Sequence, residues 1–177
     1  MTVPLHRCLQ RLSAALLLTA VSTLSAATPD ALGEPPLALL DGATQTLVDG
    51  RLVARPLAPD TEQVVLYFGA SWCGPCRAFM PDLRAAYEHW QADNRNIELV
   101  FVSADGSCKA MESYVRQLRM PWPVVACRKR DRLPALKRLR EEALPGLVVV
   151  DADGTVVDSS FWESQYGRYQ RVLSAID

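Results

Sequence analysis

Cys73 and Cys76 stand two residues apart in the stretch Ser71-Trp72-Cys73-Gly74-Pro75-Cys76-Arg77. At that spacing two sulfurs can close a small disulfide with little movement of the backbone. A pair that opens and closes in this way performs thiol–disulfide exchange. Cys73 is the expected nucleophile: its thiolate attacks a disulfide in a partner and forms a mixed disulfide. Cys76 is the expected resolving thiol: it attacks Cys73, releases the reduced partner and leaves the pair oxidised. The bland alternatives are an inert disulfide or half of a zinc site. A zinc site needs two more ligands, and the remaining cysteines, Cys108 and Cys127, are not paired at short spacing. No metal and no cofactor are expected.

The elements around the pair explain why Cys73 would be reactive. Gln63-Val64-Val65-Leu66-Tyr67-Phe68-Gly69 is apolar, β-branched and aromatic, and reads as a buried strand. Phe79, Leu83, Ala86 and Trp90 then recur at helical spacing. Cys73 therefore falls where a strand turns into a helix. The first helical turn offers free backbone N–H groups and the positive end of the dipole. Both favour a thiolate, which is the nucleophilic form. Pro75 lies inside that first turn, where its missing N–H costs nothing. Arg77 reads as a solvated charge, with a possible second role in biasing the thiolate. His89 sits far along the helix and reads as a surface or packing residue.

Trp-Cys-Gly-Pro-Cys after a buried strand resembles the active site of the thioredoxin superfamily. Leu66-Tyr67-Phe68-Gly69-Ala70-Ser71-Trp72-Cys73 and Met120-Pro121-Trp122 are most similar to its tryparedoxin and nucleoredoxin branch. The likeness runs from about Leu37 to the C-terminus. It implies an α/β thioredoxin fold: a central mixed β-sheet flanked by helices. It also implies a cis proline beside the cysteines, and Leu144-Pro145-Gly146-Leu147 stands in that place. A cis bond at Pro145 would leave the backbone of Leu144 free to pair with an extended substrate. The alternative is an ordinary trans turn proline. Gly146 departs mildly from the pattern, since a larger residue is common there. Trp72 and Trp122 are expected to form an apolar rim around Cys73, or else to be packing residues. Classical thioredoxins carry a buried acid where this chain has Tyr67, so another group must take the proton from Cys76.

The rest of the chain supplies a single domain and an export signal. Hydrophobic residues make up 49% and charged residues 22% of the 177, which suits one globular core. A net charge of −1 does not suggest a nucleic-acid surface. Arg7 and Arg11, an apolar run from Leu12 to Leu24, and Ser25-Ala26-Ala27 form a secretory signal pattern, with an uncleaved anchor as the alternative. Residues 1–27 are thus expected to leave, and 28–177 to form one thioredoxin-like domain. Their removal leaves 17 basic against 20 acidic residues, net −3, and four cysteines. An even count in an exported chain fits two disulfides. Three pairings exist on paper; the short spacing favours 73–76 and leaves 108–127.

Leu37 to Leu40 reads as a short strand after a Pro-rich linker. Thr46 to Val53 reads as a hairpin about Asp49-Gly50 that adds edge strands. Further strands are expected at 97–103, 124–126 and 147–150, the last turning through Asp153-Gly154 into 155–157. Helices are expected after Ser107, which can cap one, after Pro134, and over Trp162, Tyr166, Tyr169, Leu173 and Ile176. Alternating strands and helices argue for right-handed βαβ units. If the strands ending at Ser103 and Ala126 are parallel neighbours, Cys108 and Cys127 lie at one end of the sheet. The sulfurs could then meet in a structural disulfide; electron relay to 73–76 and free thiols are the alternatives.

The expected function is that of an exported thiol–disulfide oxidoreductase. Gly-Pro between the cysteines resembles the reducing members of the superfamily. Its partners would be disulfide-containing periplasmic proteins and a membrane-bound electron donor. A copper- or client-holding assembly factor and a thiol peroxidase are the rival readings.

Overall fold

The computed structural model describes residues 34–140, 143–160 and 169–176. The chain enters with a short helix α1 (Pro36–Leu40) and a hairpin of β1 (Thr44–Val48) and β2 (Arg51–Ala54). Then follow β3 (Gln63–Gly69), α2 (Gly74–Ala92), β4 (Ile97–Ser103) and α3 (Cys108–Leu118). The remainder is β5 (Val124–Val125), α4 (Cys127–Arg130), α5 (Pro134–Leu139), β6 (Gly146–Asp151), β7 (Val156–Ser159) and α6 (Tyr169–Ile176).

The strands form one mixed sheet in the order β2-β1-β5-β4-β3-β6-β7. β3 runs parallel to β4, and β4 to β5, so α2 and α3 are crossovers. β6 returns antiparallel to β3, with Tyr67 opposite Leu147 and Phe68 opposite Gly146. The N-terminal hairpin joins antiparallel to β5 and extends that edge. Its turn places Asp49 at φ 47° and Gly50 at φ 74°. Two successive positive φ values suit the right-handed twist of a two-residue hairpin, and Asp-Gly adopts them at low cost.

β3 is buried on both faces, which is why its sequence is continuously apolar instead of alternating. Val65 and Tyr67 point to one side, where Phe79, Leu83 and Trp90 of α2, Tyr114 of α3 and Leu173 of α6 pack. Val64, Leu66 and Phe68 point to the other, against Leu39 and Leu40 of α1 and Leu136 and Leu139 of α5.

One expectation of secondary structure needs correction. Leu37 to Leu40 is not a strand but part of helix α1, opened by Pro36 in its first turn. An apolar run this short carries no periodicity that separates helix from strand. The basic stretch from Cys127 forms the one-turn helix α4 (Cys127–Arg130). Residues 1–27, Trp162 and Tyr166 lie outside the described residues, as does the start of the expected C-terminal helix.

Candidate active site

β3 ends at Gly69, and Ala70 begins a tight passage into α2. Cys73 is the N-cap of that helix, in extended backbone conformation (φ −81°, ψ 106°). Its amide N–H donates to the Ala70 carbonyl at 3.1 Å, which folds the loop under the helix. Its Sγ accepts the Cys76 backbone N–H at 3.1 Å. One otherwise unpaired donor of the first turn is thus aimed at the sulfur. A donor there, at the positive end of the helix, stabilises negative charge on Cys73 once the disulfide opens.

Cys73 and Cys76 are joined in a disulfide with Cα atoms 5.2 Å apart. Cys73 retains 4% exposure and Cys76 none, so Cys73 is the less covered of the two. Ala70, Ala104 and the half-buried Leu144 pack around them. The Leu144–Pro145 peptide is cis, and Pro145 is buried. Trp72 is 69% exposed beside the cysteines, a large aromatic surface left open to solvent.

Trp122 is not on this rim. It is fully buried, edge-on to Tyr87 of α2 at 5.5 Å between ring centroids, with the Arg84 guanidinium 5.8 Å from its own centroid. The Met120-Pro121-Trp122 turn feeds β5 into the sheet, and that direction carries the indole into the core. Arg77 also differs from a free surface charge. Its Nε and Nη2 donate to the Ser71 carbonyl at 3.1 and 2.9 Å, and its guanidinium lies 5.0 Å over the Tyr114 ring. His89 is exposed near the end of α2 and 3.6 Å from Asp93.

Asp105 is a site residue that the sequence did not mark. It is 2% exposed and sits just past β4. Oδ1 accepts the Ser71 backbone N–H at 3.1 Å and the Ser71 hydroxyl at 2.6 Å. Oδ2 accepts the Ser103 hydroxyl at 2.8 Å. Ser71 is therefore held at its N–H and hydroxyl by Asp105 and at its carbonyl by Arg77. An Asp-Gly after a strand reads as a turn, and only the fold brings this carboxylate under the loop that carries Cys73.

Tyr67 is fully buried, and burial first, then the neighbouring Tyr114, pushes its phenol above the ordinary tyrosine range. It stays a neutral phenol at working pH and cannot accept the Cys76 proton. A Cβ at Gly69 would come within 2.8 Å of the Tyr67 hydroxyl, so the bare glycine backbone makes room for that ring.

Cys108 opens α3 and Cys127 opens α4, at the carboxyl ends of β4 and β5. They are bridged, with Cα atoms 5.4 Å apart. Arg130, three residues after Cys127, donates from Nη1 to the carbonyls of Ser103 and Asp105, both at 2.9 Å. The second disulfide and Arg130 thus brace the segment that carries Asp105. Among the described residues no group of three His, Cys, Asp or Glu side chains is placed to hold a metal ion.

Residues 61–156 match the family model described as thioredoxin-like. The chain is 35% identical to tryparedoxin of Trypanosoma brucei brucei over 116 residues, 64% of this chain and 77% of that protein. It is 37% identical over 102 residues to probable nucleoredoxin 1 of Arabidopsis thaliana, 56% of this chain but 17% of that protein. It is 35% identical over 95 residues to human nucleoredoxin, 21% of whose length it spans. The chain thus covers only about a fifth of these nucleoredoxins. Among solved structures, tryparedoxin from Trypanosoma brucei superposes with a TM-score of 0.58 at 32% identity, over 79% of this chain and 91% of the other.

Proposed function

Since the chain belongs to the thioredoxin-like family, in its tryparedoxin and nucleoredoxin branch, we propose that it reduces disulfides of exported proteins through a Cys73/Cys76 cycle. The observation that carries this reading is the Cys73 sulfur at the N-cap of α2, facing the Cys76 N–H, in a residue that keeps 4% exposure while Cys76 keeps none. In the reduced protein the Cys73 thiolate attacks one sulfur of a client disulfide. A Cys73–client bond forms, the client S–S bond breaks, and the departing client thiolate takes up a proton. Cys76 then loses its proton and attacks Cys73. The mixed disulfide breaks, the second client thiol leaves, and the 73–76 bond forms. The client gains two electrons, which a dithiol donor must return to this chain.

The reducing direction rests on the Gly74-Pro75 pair between the cysteines. Export, and with it a periplasmic setting and a membrane-bound donor, rests on the signal pattern of residues 1–27 and on two paired disulfides in the remaining chain. Trp72 and Leu144 are the client-facing contacts in this reading.

Insulin reduction by the dithiol form tests the activity: wild type should turn over and Cys73→Ser should not. Cys76→Ser should accumulate mixed disulfides with clients. A reduction potential as high as about −120 mV, the value of a strong oxidant, would overturn the reducing direction. Export predicts that protein recovered from cells begins near residue 28; an intact N-terminus in the cytosolic fraction contradicts it.

A further inference from the structure

The charge of this chain is unevenly placed. Between residues 128 and 142 lie seven lysines and arginines and three acids, whereas the rest of the chain has twelve bases against seventeen acids. A nearly neutral total thus hides one strongly basic segment. The described part of that segment is residues 128–140. α4 and α5 carry it along the ends of β3 and β4, and a cleft of about 390 Å³ opens there. Phe68, Val102 and Leu136 lie beneath the cleft almost wholly covered, Ala104 is half-buried in its wall, and Lys137 and Arg140 stand exposed along it.

The cleft and the redox pair share a wall. Ala104 lines the cleft and also packs against Cys73 and Cys76. Leu144 packs on the cysteines and on the core cluster that contains Phe68, Val102 and Leu136. Arg130, also in the lining, is committed to Asp131 and to the Ser103 and Asp105 carbonyls, so it shapes the cleft more than it offers charge. Asp131 also lines the cleft and lies within reach of the Lys137 charge, which leaves Lys137 and Arg140 as a net positive border with one acid beside it.

We infer that this flank selects clients: it docks a stretch of partner polypeptide that carries carboxylates a few residues from its disulfide. The inference rests on the reductase reading above and names the client class for the same site. Exposed bases along a cleft next to the redox pair's wall suit a carboxylate-bearing peptide, and opposite charge speeds encounter. A flat anionic membrane would be met by the exposed bases without filling the cleft.

Two disulfide-looped peptides of equal length and loop sequence, one flanked by glutamates and one by lysines, test this with the full dithiol protein. The acidic peptide should have the higher kcat/KM by roughly tenfold at low salt, the lower end of electrostatic steering. The ratio should shrink toward one as ionic strength rises. The double variant K137E/R140E should reverse the preference. Equal rates for both peptides, or an unchanged ratio in the variant, overturn the inference. So does sedimentation with phosphatidylglycerol vesicles combined with no preference between peptides. Turnover of neutral hydroxyethyl disulfide by wild type keeps the two readings apart: turnover without charge preference sinks the docking flank alone, and no turnover of any disulfide sinks the reductase itself.

Discussion

The Ser71 hydroxyl donates to Asp105 Oδ1 at 2.6 Å, although 34 residues separate the two in the chain. This contact ties the loop before Cys73 to the end of the neighbouring parallel strand. The loop backbone is thereby set by a buried carboxylate and not by its own turn propensity.

Asp105→Ala leaves the Ser71 N–H, the Ser71 hydroxyl and the Ser103 hydroxyl without their shared acceptor. Hydrogen bonds to a charged group contribute about 1.5–3 kcal/mol each, and not additively. The variant should lose about 3 kcal/mol of stability. Its kcat/KM on insulin should fall as the Cys73 loop loosens. Urea unfolding of the oxidised protein measures the first effect, and a loss under about 0.5 kcal/mol would show that Asp105 is not the anchor.

The two tryptophans should separate cleanly. Trp122 fills the core against Tyr87, so Trp122→Ala should cost about 3–5 kcal/mol. Trp72 is open to solvent, so Trp72→Ala should change stability by less than about 0.5 kcal/mol. The same change should lower kcat/KM for protein disulfides. Denaturation curves and insulin turnover on both variants check the contrast; equal destabilisation would contradict it.

The Cys108–Cys127 bridge closes a loop with a sequence separation of 19. Restricting an unfolded loop of that size stabilises the fold by about 3 kcal/mol. The double variant C108A/C127A should lose about that much in urea. It should keep a 73–76 disulfide that forms and reduces, since the two pairs share no sulfur. Complete loss of redox cycling in a folded variant would assign the second pair to electron relay instead.

Glu98 on β4 has its carboxyl pushed above the ordinary glutamate range, chiefly by burial, with the Tyr87 hydroxyl and the Leu99 N–H opposing the shift. An acid that is harder to ionise when folded binds more protons folded than unfolded. Its ionisation therefore lowers stability as pH rises from the ordinary glutamate value through the raised one. Glu98→Gln removes that burden. The melting temperature of the variant relative to wild type should improve between pH 4 and pH 7, and a difference flat across that range would count against the buried carboxyl.

The Cys73–Cys76 pair and its place between a strand and a helix were legible in the chain itself, because strand, cysteine pair and helix are contiguous. The main strands were legible for the same reason: seven-residue apolar runs admit few other readings. The sequence could not show the direction of Trp122, since a rim tryptophan and a core tryptophan look alike until the turn into β5 aims the ring. Nor could it show Asp105 beneath Ser71, or Arg130, Lys137 and Arg140 lining one cleft with Ala104. Those relations are long-range, and they exist only because parallel pairing brings the ends of β3, β4 and β5 to one edge of the sheet.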